Sequence, residues 1–413
     1  MRHPRGERLS PGVALPLARA AWMAAQGLAA PAAGEVDVAS LVANTGWLRT
    51  LGGAEAYLAV NARAPGLSVA TVNTSLASGA LRALPSARGC LYALPGAHAG
   101  LALRFAASLA RKRTVRDLEK VGVDAVEQAQ VAAAVVAALA AGPLGTDGLR
   151  AALKGQLRTL GELGKKHGIA SPLPPVVRLL EFDGRVARRI AAGLDEDRYL
   201  WSLPDADVFA GTPDEDDAVG LAAALLRVWL PHAGPATLDE FAEWSGAGKR
   251  DCRAAAERVG VEWWEVEELG PAMVLAGTPI PAAPVPEDHV VFLGSLDNYT
   301  ANRAAARFMV AREDWSRRTT NFGARGEPPT FADARWASQR HIVRGGVIVG
   351  TWEYDPDAQI VRWGTWRTHD RLPEMQAHAE RVGALLRDEV GHGLVFSLDS
   401  AAEQRKRLAT IPP

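Results

Sequence analysis

Two segments in the middle of the chain repeat one order of elements, and this repetition constrains the fold more than any other feature. Each segment predicts a helix, a turn that opens with Gly-Pro, two further helices and two extended stretches. The Gly-Pro pairs are Gly142-Pro143 in the first copy and Gly234-Pro235 in the second. Helices followed by a two-stranded ribbon, in this order, are typical of a winged helix, so the sequence predicts two such units.

The bounds of the predicted elements follow from apolar periodicity and from Gly, Pro and N-cap residues. The first copy predicts helices over residues 127–141, 146–154 and 173–182 and strands over 185–190 and 198–203. The second copy, after the acidic residues 214–217, predicts helices over 219–230, 239–245 and 249–259 and extended residues over 261–266 and 272–275. In both copies the third helix is the expected groove reader and the ribbon is the expected wing.

The flanking segments complete the predicted architecture. Before the repeats, three helices lead to an extended stretch, as in a third and less regular copy. After the proline-rich residues 279–286 the chain predicts strands, a hairpin at Gly345-Gly346, a helix over 373–389 and a last strand over 393–397. The predicted fold class is α+β: three tandem winged-helix units, at residues 1–122, 123–205 and 206–280, followed by a β-rich C-terminal domain at residues 287–413.

Composition limits the partners of this chain. The formal net charge is -1, so nucleic-acid binding would depend on local basic clusters. Cys90 and Cys252 lie far apart, and the histidines lack metal-ligand spacing, so neither a disulfide framework nor a metal or other cofactor is expected. Pro16, Arg19 and Gln26 interrupt the apolar N-terminal stretch, which argues against a signal peptide. We expect a monomeric, cytoplasmic protein with no membrane association.

Basic residues gather on the elements that contact DNA in a winged helix. They are Arg178, Arg185, Arg188 and Arg189 in the first copy, and Lys249, Arg250 and Arg253 in the second. This agreement predicts that their side chains contact double-stranded DNA. Arg340 and Arg344 precede the predicted hairpin, where two interpretations stay open: contacts with phosphates in a groove, or an ordinary amphipathic sheet with its arginines in water.

Four short stretches, in this order along nearly the whole chain, resemble a known family. They read RGCLY at residues 88–92, GPATLDEFAEWSG at 234–246, LDNY at 296–299 with Arg303, and GGVIVGTW at 345–352. The chain thereby resembles the AlkZ/YcaQ-like winged-helix DNA glycosylases. This resemblance implies a curved chain of winged helices that grips duplex DNA. In the family's enzymes, a Gln-X-Gln or Gln-X-Asp motif positions a water against the sugar of an alkylated purine.

The sequence departs from the family pattern at this motif. One alignment places Leu48 and Thr50 at the two motif positions, and an ungapped alignment places Arg49 and Leu51 there. Neither pair contains a glutamine or an acid. The His of the family is also replaced, by Tyr92. The specific support for glycosylase chemistry is therefore missing from the sequence.

Other polar residues nearby are candidates for the missing chemistry. An alkylated purine is already a good leaving group, so an enzyme chiefly needs a group that positions water and stabilises a cationic sugar. Asn44 and Glu55 are the catalytic candidates, with Asn61 close by. The competing interpretation is that Asn44 ends a helix and that the other two are solvated helix residues.

Three hypotheses for function follow. The leading one is a duplex-DNA-binding protein of repair or self-protection that acts on bulky alkylated purines, by hydrolysing the N-glycosidic bond if it is active. The first alternative is a lesion sensor or transcriptional regulator that binds DNA without catalysis. The second alternative is a protein-interaction scaffold, which would lack salt-dependent binding to duplex DNA.

Overall fold

The computed structural model describes residues 10–30, 32, 36–196, 198–212, 215, 217–303, 305–319, 326–370 and 372–412. Parts of the predicted acidic break and of the N-terminal segment lie outside these residues. The described helices are α1 (Leu15–Ala25), α2 (Val38–Thr45), α3 (Glu55–Arg63), α4 (Val69–Ala77), α5 (Ala99–Lys120), α6 (Ala125–Leu139), α7 (Thr146–Ala152), α8 (Gly161–His167), α9 (Leu173–Phe182), α10 (Ala218–Ala233), α11 (Leu238–Ser245), α12 (Lys249–Val259), α13 (Asn298–Ala301), α14 (Glu374–Ala384) and α15 (Ala401–Leu408).

The strands of the described residues form four small sheets. In chain order they are β1 (Ser10–Val13), β2 (Leu48–Arg49), β3 (Leu81–Pro85), β4 (Leu91–Pro95), β5 (Leu144–Gly145), β6 (Ala187–Ile190), β7 (Tyr199–Ser202), β8 (Glu262–Val266), β9 (Gly270–Val274), β10 (Val290–Leu293), β11 (His341–Arg344), β12 (Val347–Asp355) and β13 (Ile360–Thr365). The sheet orders are β2-β4-β3, β5-β7-β6, β1-β8-β9 and β10-β11-β12-β13. The fold therefore mixes helix and sheet, as the predicted class requires.

The two predicted repeats have the expected order of elements. In the first, α6 to α9 precede the antiparallel pair β6 and β7; in the second, α10 to α12 precede β8 and β9. Local signals determine where the helices of the second copy begin and end. Thr237 and Glu240 form a capping box at the start of α11, and Gly260 ends α12 in the left-handed region. The helix predicted over residues 249–259 matches α12. The short helix α8 has no counterpart among the predictions, and the helix predicted from residue 146 ends earlier, at Ala152.

The two repeats differ in whether they have a hydrophobic core of their own. The first repeat has its own core, which includes Leu118, Val135, Leu180 and Trp201. The helices of the second repeat share one core with residues 38–105, where Trp229 and Phe241 pack in the same cluster as Tyr57 and Phe105. The first and third predicted units are thus joined by a common interior, whereas the second unit packs mostly on itself.

The N-terminal segment does not pack with the unit to which it was assigned. Strand β1 pairs in parallel with β8, so that Ser10 lies opposite Trp264 and Val13 opposite Val266. The apolar side of α1 enters a core with residues from β8, β9 and the C-terminal domain. Residues 10–28 therefore pack on the third predicted unit and the C-terminal sheet, although they lie in the predicted 1–122 segment.

The C-terminal domain contains the predicted hairpin but not the predicted last strand. Gly345 and Gly346 have φ of 57° and 79° and connect β11 to β12, as a tight two-residue turn requires. Residues 393–397 are not a strand, and α15 follows them, so the expectation there was wrong. Among the described residues no single helix is long and apolar enough to cross a membrane; one sharply bent pair, of α5 with its preceding turn and α6, passes by length and composition.

Candidate active-site cleft

Two adjoining pockets form a cleft between the first unit, α11 and the loop that contains α13. The aromatic pocket is lined by Tyr92 and Trp244, among others, and the Glu55 pocket by Glu55 and Ser295, among others. Arg49, Leu296 and Asn298 line both pockets. Three of the four stretches of family resemblance contribute side chains to this cleft, although they lie far apart in sequence.

Strand β2 and the two residues after it carry the motif positions along the cleft, and the exposure of their side chains distinguishes the two alignments. Arg49 lies opposite Tyr92 of the antiparallel strand β4, and Leu48 lies opposite Ala93. Side chains alternate along an extended segment. Leu48 and Thr50 are buried, whereas Arg49 is half-buried and Leu51 is 39% exposed. The alignment that puts Arg49 and Leu51 at the motif positions therefore gives the pair on the accessible side.

Gly46 allows α2 to turn directly into β2. Its φ is 108°, which disfavours any residue with a side chain. A Cβ at this position would lie 2.6 Å from Nδ2 of Asn298 and 2.8 Å from Cδ2 of His232. The same Nδ2 donates to the carbonyl of Trp47 at 3.1 Å. This close approach fixes Asn298 against the start of β2 and so sets one wall of the cleft.

Aromatic rings form the wall behind Arg49. Tyr92 and Trp244 have ring centroids 6.2 Å apart, and Trp244 stacks on the fully buried Trp229 at 5.5 Å. Burial raises the pKa of the Tyr92 hydroxyl well above its usual value. Tyr92 is therefore a neutral phenol at physiological pH, and it offers the pocket a flat apolar face with one polar end.

Glu55 begins α3 and joins it to the C-terminal domain. Its Oε1 accepts from Nε and Nη2 of Arg340 at 3.0 and 2.6 Å, and its Oε2 accepts from the backbone N–H of Ser295. Burial raises the pKa of this carboxyl to about 7, although Arg340 acts in the opposite direction. The expectation of a solvated helix position was wrong, because Glu55 is an ion-paired group that lines the cleft.

The other candidates for chemistry lie away from the cleft. Asn44 is exposed near the end of α2, and Asn61 is half-buried on α3; neither lines either pocket. The alternative interpretation of Asn44, at the end of a helix, fits its position. Among the described residues no group of three or more His, Cys, Asp or Glu side chains is placed to hold a metal ion.

The arginines predicted to contact DNA fall into two sets. Those with exposed side chains on α9, on α12, on the ribbon or in the turn before it are Arg178, Arg185, Arg189, Lys249, Arg250 and Arg253. Of these, Arg189 contacts Asp205 and Lys249 contacts Asp239. Arg188 belongs to the second set, because its side chain is 10% exposed, is ion-paired with Glu181 at 2.9 Å and lies over Trp201. Its position corrects the expectation of a DNA contact.

Arg340 requires a second correction. Its side chain is 1% exposed and donates to Glu55, to Glu353 and to the carbonyl of Gly393. A phosphate cannot reach a guanidinium enclosed in this way, so Arg340 is a structural residue. Arg344 is half-buried, and its Nε donates to the carbonyl of Glu287 at 2.7 Å.

The hairpin after Arg344 packs inward. The Tyr299 hydroxyl donates to the carbonyl of Gly346 at 2.7 Å, and a Cβ on Gly346 would lie 3.3 Å from Cβ of Arg19. The turn therefore lies against α1 and α13 and is not free to enter a DNA groove. The interpretation as an ordinary sheet element is the one that fits.

Sequence reasoning did not single out several side chains of the cleft. Arg88 lies within one stretch of family resemblance, with φ of 54°, and its Nη1 donates to Glu243 at 2.8 Å. Arg303 lies in another, and its guanidinium donates to the carbonyls of Ala233 and Pro235. Their signal in the sequence was their place in the stretches of family resemblance.

Comparisons with known proteins identify the fold and the family of this chain. A search of curated proteins finds no match. Among solved structures, the chain is similar to the Streptomyces sahachiroi DNA glycosylase AlkZ, with a TM-score of 0.69 and 19% sequence identity over 93% of this chain and 98% of that one. The model of the family described as DNA glycosylase AlkZ-like matches residues 43–387, which include β2 and Glu55. The chain belongs to the AlkZ-like DNA glycosylase family.

Proposed function

We propose that this chain is a DNA-repair protein that binds duplex DNA and receives a nucleotide with a bulky alkylated purine in the cleft beside β2. The convergence of the family's separate stretches on one cleft carries the proposal. The cleft combines aromatic faces, on which a base stacks, with polar side chains that can hold its edge. Family membership supports the class of function, and the substrate is our inference.

We propose further that DNA is gripped by three tandem winged-helix units. The order of helices and ribbon in residues 123–205 and 206–280 supports this reading, and residues 38–95 repeat it less regularly. The exposed cations on α9 and α12 are the proposed contacts with phosphates, because phosphate contacts position a protein on DNA. We place this activity in the cytoplasm, in a monomer, since the two free cysteines suit a reducing compartment.

Glu55 is our candidate for a catalytic residue. Its carboxylate lines the cleft, and three donors hold it in one orientation. With a pKa of about 7 it is present in both protonation states near neutral pH, which suits a group that moves a proton or positions water. The bound donors also limit this role, because they occupy much of the acceptor capacity of the carboxylate.

A second candidate function is lesion binding without release of the base. Arg49 and Leu51, at the accessible motif positions, offer no acceptor that could position a water, and this observation favours a reader of DNA damage. The Arg49→Gln/Leu51→Gln variant places glutamine at both motif positions. It should gain base release if the remainder of the site is able to catalyse the reaction.

The test is release of modified base from a duplex that contains one alkylated guanine, measured against spontaneous depurination without protein. An enzyme releases base faster than that control, and Glu55→Gln abolishes the difference. Binding without release supports the second candidate. A protein-interaction scaffold would show no salt-dependent binding to the duplex, which would contradict both.

A further inference from the structure

One carboxylate at the mouth of the cleft joins three parts of the molecule. Glu243 on α11 accepts from Nη1 of Arg88, in the turn between β3 and β4, at 2.8 Å. It also accepts from Nη1 of Arg335, in the C-terminal domain, at 3.3 Å. The side chains of Arg88, Glu243 and Arg335 are 33%, 37% and 69% exposed. Arg88 and Glu243 line the aromatic pocket, so the group forms its solvent-exposed rim.

Arg88 is held in place by its backbone as well as by its charge. Its φ is 54°, in the left-handed region that residues with a side chain adopt at a cost in free energy. Its Nη1 also donates to the backbone carbonyl of Glu243 at 2.9 Å, and a Cβ on Gly246 would lie 3.0 Å from its Cγ. The side chain therefore lies along the end of α11. Backbone strain of this kind persists where the surrounding structure fixes it, and it is concentrated at functional sites.

Trp336 brings the two arginines together by a second contact. Its ring centroid lies 5.7 Å from the guanidinium carbon of Arg88, and it directly follows Arg335 in the chain. A guanidinium over an aromatic face is attracted to the ring. Arg88 thereby contacts the segment that carries Arg335, so the two cations are held near each other by more than the shared carboxylate.

The three charged side chains leave a net positive charge and free donors at the rim. A guanidinium has five N–H donors, and the contacts with Glu243 use Nη1 alone in each arginine. An ion pair at the surface contributes little to stability, so a second anion can share or replace the carboxylate. Arg188 differs in this respect, because its partner Glu181 is fully buried. The rim thus offers two guanidinium groups to an anion that arrives from solvent.

We infer that Arg88 and Arg335 bind a phosphate of the lesion strand, beside the nucleotide that enters the cleft. This inference rests on the proposed function and names the group that the rim contacts. An extruded nucleotide rotates about its backbone, so its base enters a pocket while its phosphates stay outside. Arginine binds a phosphate in the same way as a carboxylate, through parallel N–H···O bonds. Glu243 holds the two arginines together until DNA arrives.

Neutralising one phosphate at a time tests this contact without depending on catalysis. A duplex carries a single N7-benzylguanine on a 2′-fluoro sugar, which blocks depurination. One uncharged methylphosphonate linkage is moved along the lesion strand from each position to the next. Dissociation constants are measured at one ionic strength for the full-length wild-type chain and for the Arg88→Gln/Arg335→Gln variant.

The effects of the linkage and of the variant should not add. At a linkage beside the lesion, we expect neutralisation to weaken wild-type binding about tenfold, because charge-assisted hydrogen bonds are lost. The same linkage should weaken the variant less than about twofold, because its arginines are already absent. Circular dichroism checks that the variant is folded, which we expect because Glu243 is open to water.

Arg312→Gln is the matched control. Arg312 is also exposed, has a carboxylate partner, Glu268, at 3.6 Å, and lies over the ring of Trp315 at 5.2 Å. It lines neither pocket of the cleft. The neutral linkage beside the lesion should therefore weaken this variant as much as the wild-type protein.

The outcomes separate this inference from the proposed function. If each linkage weakens the wild-type protein and the folded Arg88→Gln/Arg335→Gln variant equally, or if no linkage matters, the inference is overturned while duplex binding stands. Absence of any salt-dependent duplex binding overturns the proposed function and the inference with it. A linkage whose effect disappears in that variant and persists in Arg312→Gln establishes the phosphate site.

Discussion

Arg49 and Arg340 belong to the same neighbourhood, yet their guanidinium groups have opposite surroundings. Arg340 is enclosed by Glu55, Glu353 and a backbone carbonyl, and its side chain is 1% exposed. Arg49 is half-buried on β2, with a thiol as its nearest partner and no carboxylate within 4 Å among the described residues. Arg340 is therefore held in the fold by its ion pairs, whereas Arg49 is available to a ligand.

The difference shows how a cleft with many charged side chains keeps one of them available to a ligand. A buried ion pair contributes little net stability, but it is costly to break, because removal of one partner leaves the other charge buried. Arg340 thus fixes Glu55 and, through it, α3 against the C-terminal domain. Arg49 is free of that commitment, so its orientation and charge can respond to what enters the cleft.

The largest effect that we expect is on stability. Arg340→Leu should lower the free energy of unfolding by about 3–5 kcal/mol, because Glu55 and Glu353 lose their shared partner. Arg49→Leu should cost less than about 1 kcal/mol, since no carboxylate is left unpaired. Urea unfolding followed by circular dichroism measures both. Equal losses in the two variants would contradict the distinction drawn between the two arginines.

A smaller effect is expected from the proton on Glu55. Its pKa is about 7 in the folded protein and 4.5 in a model compound. Between these values the folded chain holds a proton that the unfolded chain has released, so stability falls as the pH rises from about 4.5 to about 7. The slope is at most about 1.4 kcal/mol per pH unit, and Glu55→Gln should remove it.

The Glu55 slope must be separated from that of two buried histidines. Burial lowers the pKa of His232 to about 3 and that of His341 to about 4, so they decrease stability as the pH falls below their ordinary value of 6.5. The wild-type protein and Glu55→Gln share these histidines, so the difference between their pH profiles isolates Glu55. Glu162→Gln, at an exposed position, is the control. Parallel profiles for wild type and Glu55→Gln would exclude the shifted proton.

Elements fixed by local signals were predictable from the sequence. The bounds of α12 follow from Gly260 and the end of α11 from Gly246, because only glycine adopts the left-handed region there without strain. The Gly345-Gly346 hairpin was predictable for the same reason. Its environment was not, because the inward packing depends on Tyr299, which lies on a separate helix.

Long-range partners were beyond sequence reasoning. Glu55 was identified as a candidate, but its partner Arg340 lies 285 residues further along the chain. Both Arg49 and Thr50 stood at possible motif positions, and only their burial in the folded chain shows that Arg49 is the more accessible of the two. The parallel pairing of β1 with β8 was missed because a four-residue strand has almost no local signal.

The smallest effects concern the arginines of the first repeat, where the same contrast between committed and available cations occurs. Arg178 and Arg185 are exposed, with no carboxylate within 4 Å among the described residues, whereas Arg188 is paired with Glu181. Changing Arg178 or Arg185 to Ala should weaken binding of all duplexes alike and reduce the magnitude of the slope of log K against log salt by about 1 per phosphate contact. Arg188→Ala should leave that slope unchanged while lowering stability, because it leaves Glu181 buried without its partner. If Arg188→Ala flattened the slope and Arg185→Ala did not, exposure and pairing would be the wrong guide to the DNA-contacting face.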